Sequence, residues 1–396
     1  MTPAARVQSA ITILDTIIAA AEGQGAPADR IVREWARNNR YAGSKDRRAI
    51  RELVYGAIRA CGPVPQTGRA AMLRLAEVDD TIALLFDGSQ YGPPAIGPSE
   101  TPAQGGVAPP WVVRHLAKSD IAGAEAGALM DRAPLDVRVN TLKAARDAID
   151  LPLEGELLIA PNAIRYPSGT QIEQWDAYQS GLIEVQDHGS QWACRAVGAQ
   201  PGETIIDLCA GAGGKTLGLA ALMDNRGTLI ASDTDRGRLQ RLPPRAEKAG
   251  ADVIETVLLN PGKELAMLAD HVGTADAVLV DAPCSGTGTW RRNPEARWRL
   301  SKAELLRFAE VQDRLMHIAS QLIKPGGRIV YITCSLFDEE GADRIAAFVK
   351  AKPDFRPEPL DLPIGCPRGG GTRLTPHHDG TDGFFIARLV HSASPA

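Results

Sequence analysis

Apolar residues recur at helical spacing from the start of the chain. Val7, Ile11, Leu14 and Ile18 fall at i, i+4, i+7 and i+11, one stripe of an amphipathic helix. Ile31 and Trp35 suggest a second helix. Ile50, Leu53, Val54, Ala57 and Ile58 form the apolar face of a third, opened by Gly43-Ser44 with Asp46 nearby. Leu73, Ala76, Ile82 and Leu85 continue the texture, so residues 1–86 are expected to be all-helical. Gly and Pro crowd residues 87–110, where neither helix nor sheet should persist, and an extended linker is expected. Trp111 to Leu116 restarts helix. Leu135 to Asn140 alternates as a strand does, and Thr141 is expected to begin a helix through Ile149. Residues 111–200 therefore read as a small α+β module.

From Gly202 on, short apolar runs alternate with helical segments. The runs are Thr204–Leu208, Thr228–Asp233, Ala277–Asp281 and Arg328–Thr333. Continuous apolar strands between helices predict a parallel sheet covered on both faces, here an α/β domain over 201–396. Ligands bind such sheets beyond the carboxyl ends of the strands. That rule selects Asp207 to Lys215, Asp233, Asp281 to Ser285, and Thr333 to Ser335.

Composition narrows the classes. With 396 residues and 44% apolar residues, wholesale disorder is excluded. No uncharged apolar run approaches the ~20 residues a spanning helix needs, and MTPAARVQSA lacks the features of a signal peptide. A cytoplasmic, monomeric protein without a membrane role is expected. The six cysteines (61, 194, 209, 284, 334, 366) include no C-x-x-C pair, which argues against a zinc ribbon or a disulfide framework. His377-His378-Asp379 has no evident third ligand, so no metal is expected. Net charge is only −4, yet its distribution is uneven. Basic residues outnumber acids from Ala28 to Arg59, and Arg291 to Arg299 forms a second basic knot around Trp298. Such clusters attract phosphate backbones, although a solvated helix face is the blander reading of each.

Asp207-Leu208-Cys209-Ala210-Gly211-Ala212-Gly213-Gly214-Lys215-Thr216 follows the first strand and opens a helix. Small residues there let a ligand approach the backbone closely. A P-loop would need Gly where Cys209 stands, and no G-x-G-x-x-G spacing occurs. The remaining reading is the acidic, glycine-rich loop of S-adenosylmethionine (AdoMet) enzymes, with Asp233 ending the next strand to accept ribose hydroxyls.

The loop resembles the C-A-A-P-G-G-K-T motif of the RsmB/Nop/Sun family of RNA 5-methylcytosine methyltransferases. Gly181 to Gln191, Asp281-Ala282-Pro283-Cys284-Ser285-Gly286-Thr287-Gly288, Tyr331-Ile332-Thr333-Cys334-Ser335 and Asp382-Gly383-Phe384-Phe385 agree with it in order. Lys45 to Arg59 resembles part of a NusB-like helical domain. The resemblance implies a Rossmann-like class I methyltransferase sheet, preceded by a small RNA-binding subdomain and a helical domain. It implies AdoMet held by Cys209, Ala210, Gly211, Ala212, Gly213, Gly214, Lys215, Asp233, Asn260 and Asp281, with Cys209 serving as a small packing residue. Three departures stand out. Gly211 and Ala212 replace Ala and Pro, and Asn260 lies where an Asp usually contacts the adenine amino group.

Cytosine C5 is too weak a nucleophile to attack a methyl sulfonium unaided. Thiolate addition at C6 makes C5 enamine-like, and a base must then remove the C5 proton. The resemblance makes Cys334 the nucleophile and Cys284 the group assisting release. Asp281 would bond the cytosine edge near N3, and as a donor there its carboxyl must be protonated in the adduct, which burial near the base would favour. Arg292, Arg297 and Trp298 are candidates for RNA contact and stacking. The expectation is a C5-methyltransferase of RNA, ribosomal rather than transfer because of the NusB-like front. The alternatives are a transfer-RNA enzyme, a non-catalytic ribosome-assembly factor on the same fold, and, least favoured, a P-loop NTPase.

Overall fold

The computed structural model describes residues 1–23 and 25–392. The chain forms two compact units. One comprises Met1–Asp131 and Thr289–Ser301, and the other Arg132–Gly288 and Lys302–Ala396. The boundaries expected at 86, 110 and 200 do not coincide with these units.

The first unit is helical, with α1 at Pro3–Glu22, α2 at Ala28–Asn38, α3 at Ser44–Ala60 and α4 at Gly68–Ala76. Thr2 caps α1 by accepting the Ala5 N–H at 3.2 Å. At α3 the Asp46 carboxylate accepts the Gly43 N–H (3.1 Å) and pairs with Arg6 (2.8 Å). Helix α1 is long and apolar enough to cross a membrane by composition, with mean hydropathy 1.3 over its best window. Its stripe of Val7, Ile11, Leu14 and Ile18 is instead buried in a core shared with Ile50, Val54 and Met72.

The Gly/Pro segment lacks helix and strand, but it is no free linker. Ala103 donates to the Ala70 carbonyl, Gln104 accepts from Gly62, and Glu100 pairs with Arg69 at 2.9 Å. Backbone groups that cannot enter a ladder are satisfied by α4 and the loop before it.

The second unit carries two sheets. Strands β1 (Leu135–Val139), β2 (Glu156–Leu157), β3 (Ala163–Tyr166) and β4 (Ile183–Val185) make an antiparallel sheet in the order β2-β3-β1-β4. The expected helix from Thr141 to Ile149 is reduced to one 3-10 turn at Arg146–Ala148. Asn140 explains this. Its side chain accepts the Leu142 N–H and donates to the carbonyls of Gly181 and Ala249, so the backbone leaves β1 in a turn.

The large sheet contains β5 (Thr204–Asp207), β6 (Thr228–Asp233), β7 (Ile254–Leu258), β8 (Ala275–Asp281), β9 (Ile323–Thr333), β10 (Phe355–Glu358), β11 (Cys366–Arg368), β12 (Gly371–Leu374) and β13 (Phe384–His391). Its order is β11-β12-β13-β9-β8-β5-β6-β7, with β10 also on β13. Strands β5 to β9 pair in parallel, and β13 runs antiparallel to β9. Alternate residues enter opposite cores. Ile205, Leu229, Leu279 and Ile332 face one, and Ile206, Ile230, Val278 and Tyr331 the other. Both faces being covered, the strands are apolar throughout. Chain order reverses between β5 and β8, which opens a crevice at their carboxyl ends.

Candidate active site

The loop after β5 is built to bring backbone close to a ligand. Ala210 donates to the Ser232 carbonyl (2.9 Å), and Gly211 donates to Asp233 Oδ2 (2.7 Å). Gly211 and Gly213 have φ of 57° and 87°, the left-handed region that favours glycine. A Cβ on Gly213 would stand 2.1 Å from Leu242. The Ala212 carbonyl is held by Arg245, which also pairs with Glu184 on β4 at 2.7 Å. Ala212 thus has an external brace where the family places a proline ring. Cys209 is half-buried against the core of one sheet face, and burial with the carboxylates of Asp207, Asp233 and Asp281 pushes its thiol well up, as suits a packing residue.

Asp233 ends β6. Its second oxygen accepts the Asp235 N–H at 2.7 Å, which leaves each oxygen a lone pair for a further donor. Asn260 is exposed just beyond β7. The loop, Asp233 and Asn260 follow β5, β6 and β7 in turn, while both candidate thiols follow β8 and β9. These positions form a row along one sheet edge, with β8 and β7 three strand spacings apart, roughly 14 Å.

Lys215, in the first turn of the helix Gly214–Leu222, places Nζ 2.6 Å from Asp281 Oδ2 at the end of β8. Burial disfavours the ammonium, but the Asp281 carboxylate outweighs it and raises Lys215 above the ordinary lysine range. The Asp281 side chain is 31% exposed. Its Oδ2 accepts from Lys215, a partner that the sequence reading had not paired with it.

The two thiols converge. Cys284 Sγ lies 3.4 Å from Cys334 Sγ, although 50 residues separate them. Hydrogen bonding with Cys334, burial and the charge of Glu340 push the Cys284 thiol well up. Glu340 is 1% exposed. It accepts the Ser285 N–H (2.9 Å), the Ser285 hydroxyl and the Gln312 amide (3.2 Å). Sequence patterning did not single out Glu340 or Gln312, and it gave Ser285 and Ser335 no role of their own. Glu340 sits in Asp338-Glu339-Glu340, which reads as a solvated acidic run.

The remaining motifs brace this centre. Gly288 donates to the Cys334 carbonyl (2.9 Å) and accepts from Gly383 (2.8 Å). A Cβ on Gly288 would meet the Gly383 carbonyl at 2.2 Å, so the close approach needs glycine at that point. Asp187 caps the helix His188–Ala196 and accepts the Asp382 N–H at 3.1 Å. Gln186 accepts from Arg138 (2.7 Å) and donates to the Gly214 carbonyl (3.4 Å), joining the small sheet to the glycine loop.

Two expected RNA contacts are corrected. Arg297 is fully buried, and Trp298 is buried in the helical core. Arg297 donates to the carbonyls of Ile58, Cys61 and Pro294, and the Trp298 indole donates to Gly62 at 3.1 Å. They satisfy the orphan carbonyls at the end of α3. Asp379 of the His-His-Asp run accepts the Gly365 and Thr375 N–H groups, each at 2.7 Å. Among the described residues no group of three or more His, Cys, Asp or Glu could hold a metal ion.

A parallel sheet with a reversed final strand and an acidic glycine loop after β5 defines a Rossmann-like, class I AdoMet-dependent methyltransferase fold. Comparisons with known proteins narrow this. Residues 195–390 match the family model described as 16S rRNA methyltransferase RsmB/F. The probable ribosomal RNA small subunit methyltransferase B of Synechocystis sp. is 36% identical over 273 residues, covering 64% of this chain and 59% of that protein. The Bacillus subtilis protein of the same description is 32% identical over 299 residues, covering 71% and 66%. The matches thus span about three-fifths to two-thirds of these relatives' lengths. The crystal structure of PH0851 shares the fold, with a TM-score of 0.77 at 24% identity over 98% of this chain and 99% of that one. The chain belongs to the RsmB/Nop/Sun family of methyltransferases.

Proposed function

We propose that this protein transfers a methyl group from AdoMet to C5 of a cytosine in RNA, ribosomal RNA first among substrates. The observation that carries this reading is the 3.4 Å approach of Cys284 and Cys334 beside the Lys215–Asp281 pair.

The cofactor fit rests on the loop itself. A Cβ at Gly214 would meet nothing within 4 Å, so the loop opens to space there, and buried Asp207 has one oxygen, Oδ1, without a partner. Residues 209–215 would cradle AdoMet, with Asp233 on the ribose and Asn260 towards the adenine. When bound, AdoMet supplies an electrophilic methyl group. Cys334 Sγ adds to cytosine C6 as a thiolate, which places electron density on C5. Asp281 accepts from the exocyclic amino group, and Lys215 fixes the carboxylate and brings positive charge beside N3. After methylation at C5, the C5 proton leaves to a base. The C6–S bond breaks with its electron pair returning to Cys334, and the Cys284 S–H meets that departing sulfur. Two intact, convergent thiols favour this over a non-catalytic assembly factor.

The test uses ribosomal RNA and tritiated AdoMet. Cys334→Ala should abolish methyl transfer, by at least about 10³-fold, with AdoMet binding retained. Cys284→Ala should accumulate a covalent protein–RNA adduct on a denaturing gel. Retained turnover in the first variant refutes the nucleophile, and free release in the second reverses the thiol roles. Transfer RNA run in parallel decides the substrate class.

A further inference from the structure

We propose that Glu340 is a positioning residue that bolts the two cysteine loops together and so sets the sulfur–sulfur separation. The inference rests on the reading above and adds a residue to it. Each thiol is followed by a serine, Ser285 after Cys284 and Ser335 after Cys334, and these serines face each other at 3.1 Å. Thr287 lies 3.3 Å from Ser335 Oγ.

With Glu340 as a carboxylate, one set of hydroxyl directions satisfies the whole cluster. Thr287 Oγ1 accepts the Leu336 N–H at 2.7 Å, and its own proton goes to Ser335 Oγ. Ser335 Oγ also accepts the Phe337 N–H at 3.1 Å, and its proton goes to Ser285 Oγ. Ser285 then donates to Glu340 Oε2. The other partners of the carboxylate, the Ser285 N–H and the Gln312 amide, can only donate. The chain of donors thus ends on the Glu340 side chain. Its backbone is tied as well. The Glu340 carbonyl accepts the Tyr331 hydroxyl (2.8 Å) and the Thr333 hydroxyl (3.4 Å), on the strand leading to Cys334. Gln312 closes the frame by donating to the Pro283 carbonyl at 2.9 Å. One buried side chain thus holds the loop after β8 to the loop after β9. Among the described residues no cation pairs with it, and the partners named are neutral dipoles. The titratable groups facing Cys284 are Cys334, Glu340 and Tyr331. Hydrogen bonding with Cys334 and burial raise the Cys284 thiol, and the charge of Glu340 adds to them, all favouring the S–H form.

The experiment uses the full-length chain with Glu340→Gln. The exchange keeps the shape but removes the charge and turns an acceptor into a donor facing donors. We expect kcat for methyl transfer to fall about 10²-fold with KM for RNA within about twofold, as a displaced reacting group requires. AdoMet affinity should be unchanged. In the protein without RNA, iodoacetamide labelling of Cys284, followed by mass spectrometry, should move to lower pH. Unchanged kcat with an unmoved labelling profile overturns the proposal. Should Glu340→Gln fail to fold, Ser335→Ala interrupts the same chain by one atom. It is expected to lower kcat in the same KM-independent way, and a normal kcat in that folded variant also overturns the proposal. A wild type that methylates no cytosine would sink the proposed function, whereas the labelling profile would still decide the role of Glu340.

Discussion

Asp207 ends β5 with one oxygen bonded to Thr216 at 2.7 Å and the other without a partner. Burial, the largest influence, raises its carboxyl to about 7, against the opposing bond from Thr216. The unfolded chain releases this proton near its ordinary value of 3.8. Between those values the native state holds more protons, so stability contributed by the neutral form is present at low pH and lost as pH rises through about 7. Asp207→Asn keeps an acceptor for Thr216 without the ionisation. Its melting temperature in the absence of AdoMet should exceed the wild type's at pH 8 and approach it at pH 5. A constant difference across that range would refute the ionisation argument. At this scale the sequence was informative wherever chemistry needs a residue type, as at Cys284, Cys334 and Lys215. Glu340 was hidden because its importance comes from partners brought by other strands.

At the scale of elements, the segment Thr289–Ser301 was misread for a physical reason. Arginine and tryptophan together describe an RNA-binding face and a buried anchor equally well. Only the fold distinguishes them, by presenting the carbonyls of Ile58 and Cys61, at the end of α3, to Arg297. Burial lowers the Arg297 guanidinium to about 9, yet three carbonyls retain it. Trp298→Ala should cost about 3–5 kcal/mol of stability, by cavity formation and loss of the bond to Gly62. Urea denaturation measures this. A loss below about 1 kcal/mol, coupled with weaker RNA binding, would restore the RNA-contact reading. Four strands of the parallel sheet were legible because both faces are buried and the runs are mostly apolar, whereas β7, with Glu255 and Thr256 exposed, was not. The helix expected after Asn140 was not, since a side chain making two long-range bonds and one local one overrides local propensity.

At the scale of the whole molecule, the helical unit is discontinuous in sequence. Its core includes Trp298, and Trp290 and Arg297 are wholly buried, although all three lie far beyond Asp131. A chain beginning at Arg132 leaves that segment without its partners. It is expected to aggregate or to bind a hydrophobic dye, unlike the full-length protein, and size-exclusion chromatography reads the outcome. A stable monomer from that truncation would show the segment to be dispensable to folding.

The same discontinuity bears on synthesis. The first 131 residues leave the ribosome early, carrying the exposed end of α3 and an unfilled place in their core. Nascent domains ordinarily fold as they emerge. This one must wait for residue 301, after β5 to β8 have been translated, before its last side chains arrive. The part made first is therefore among the later ones to be finished.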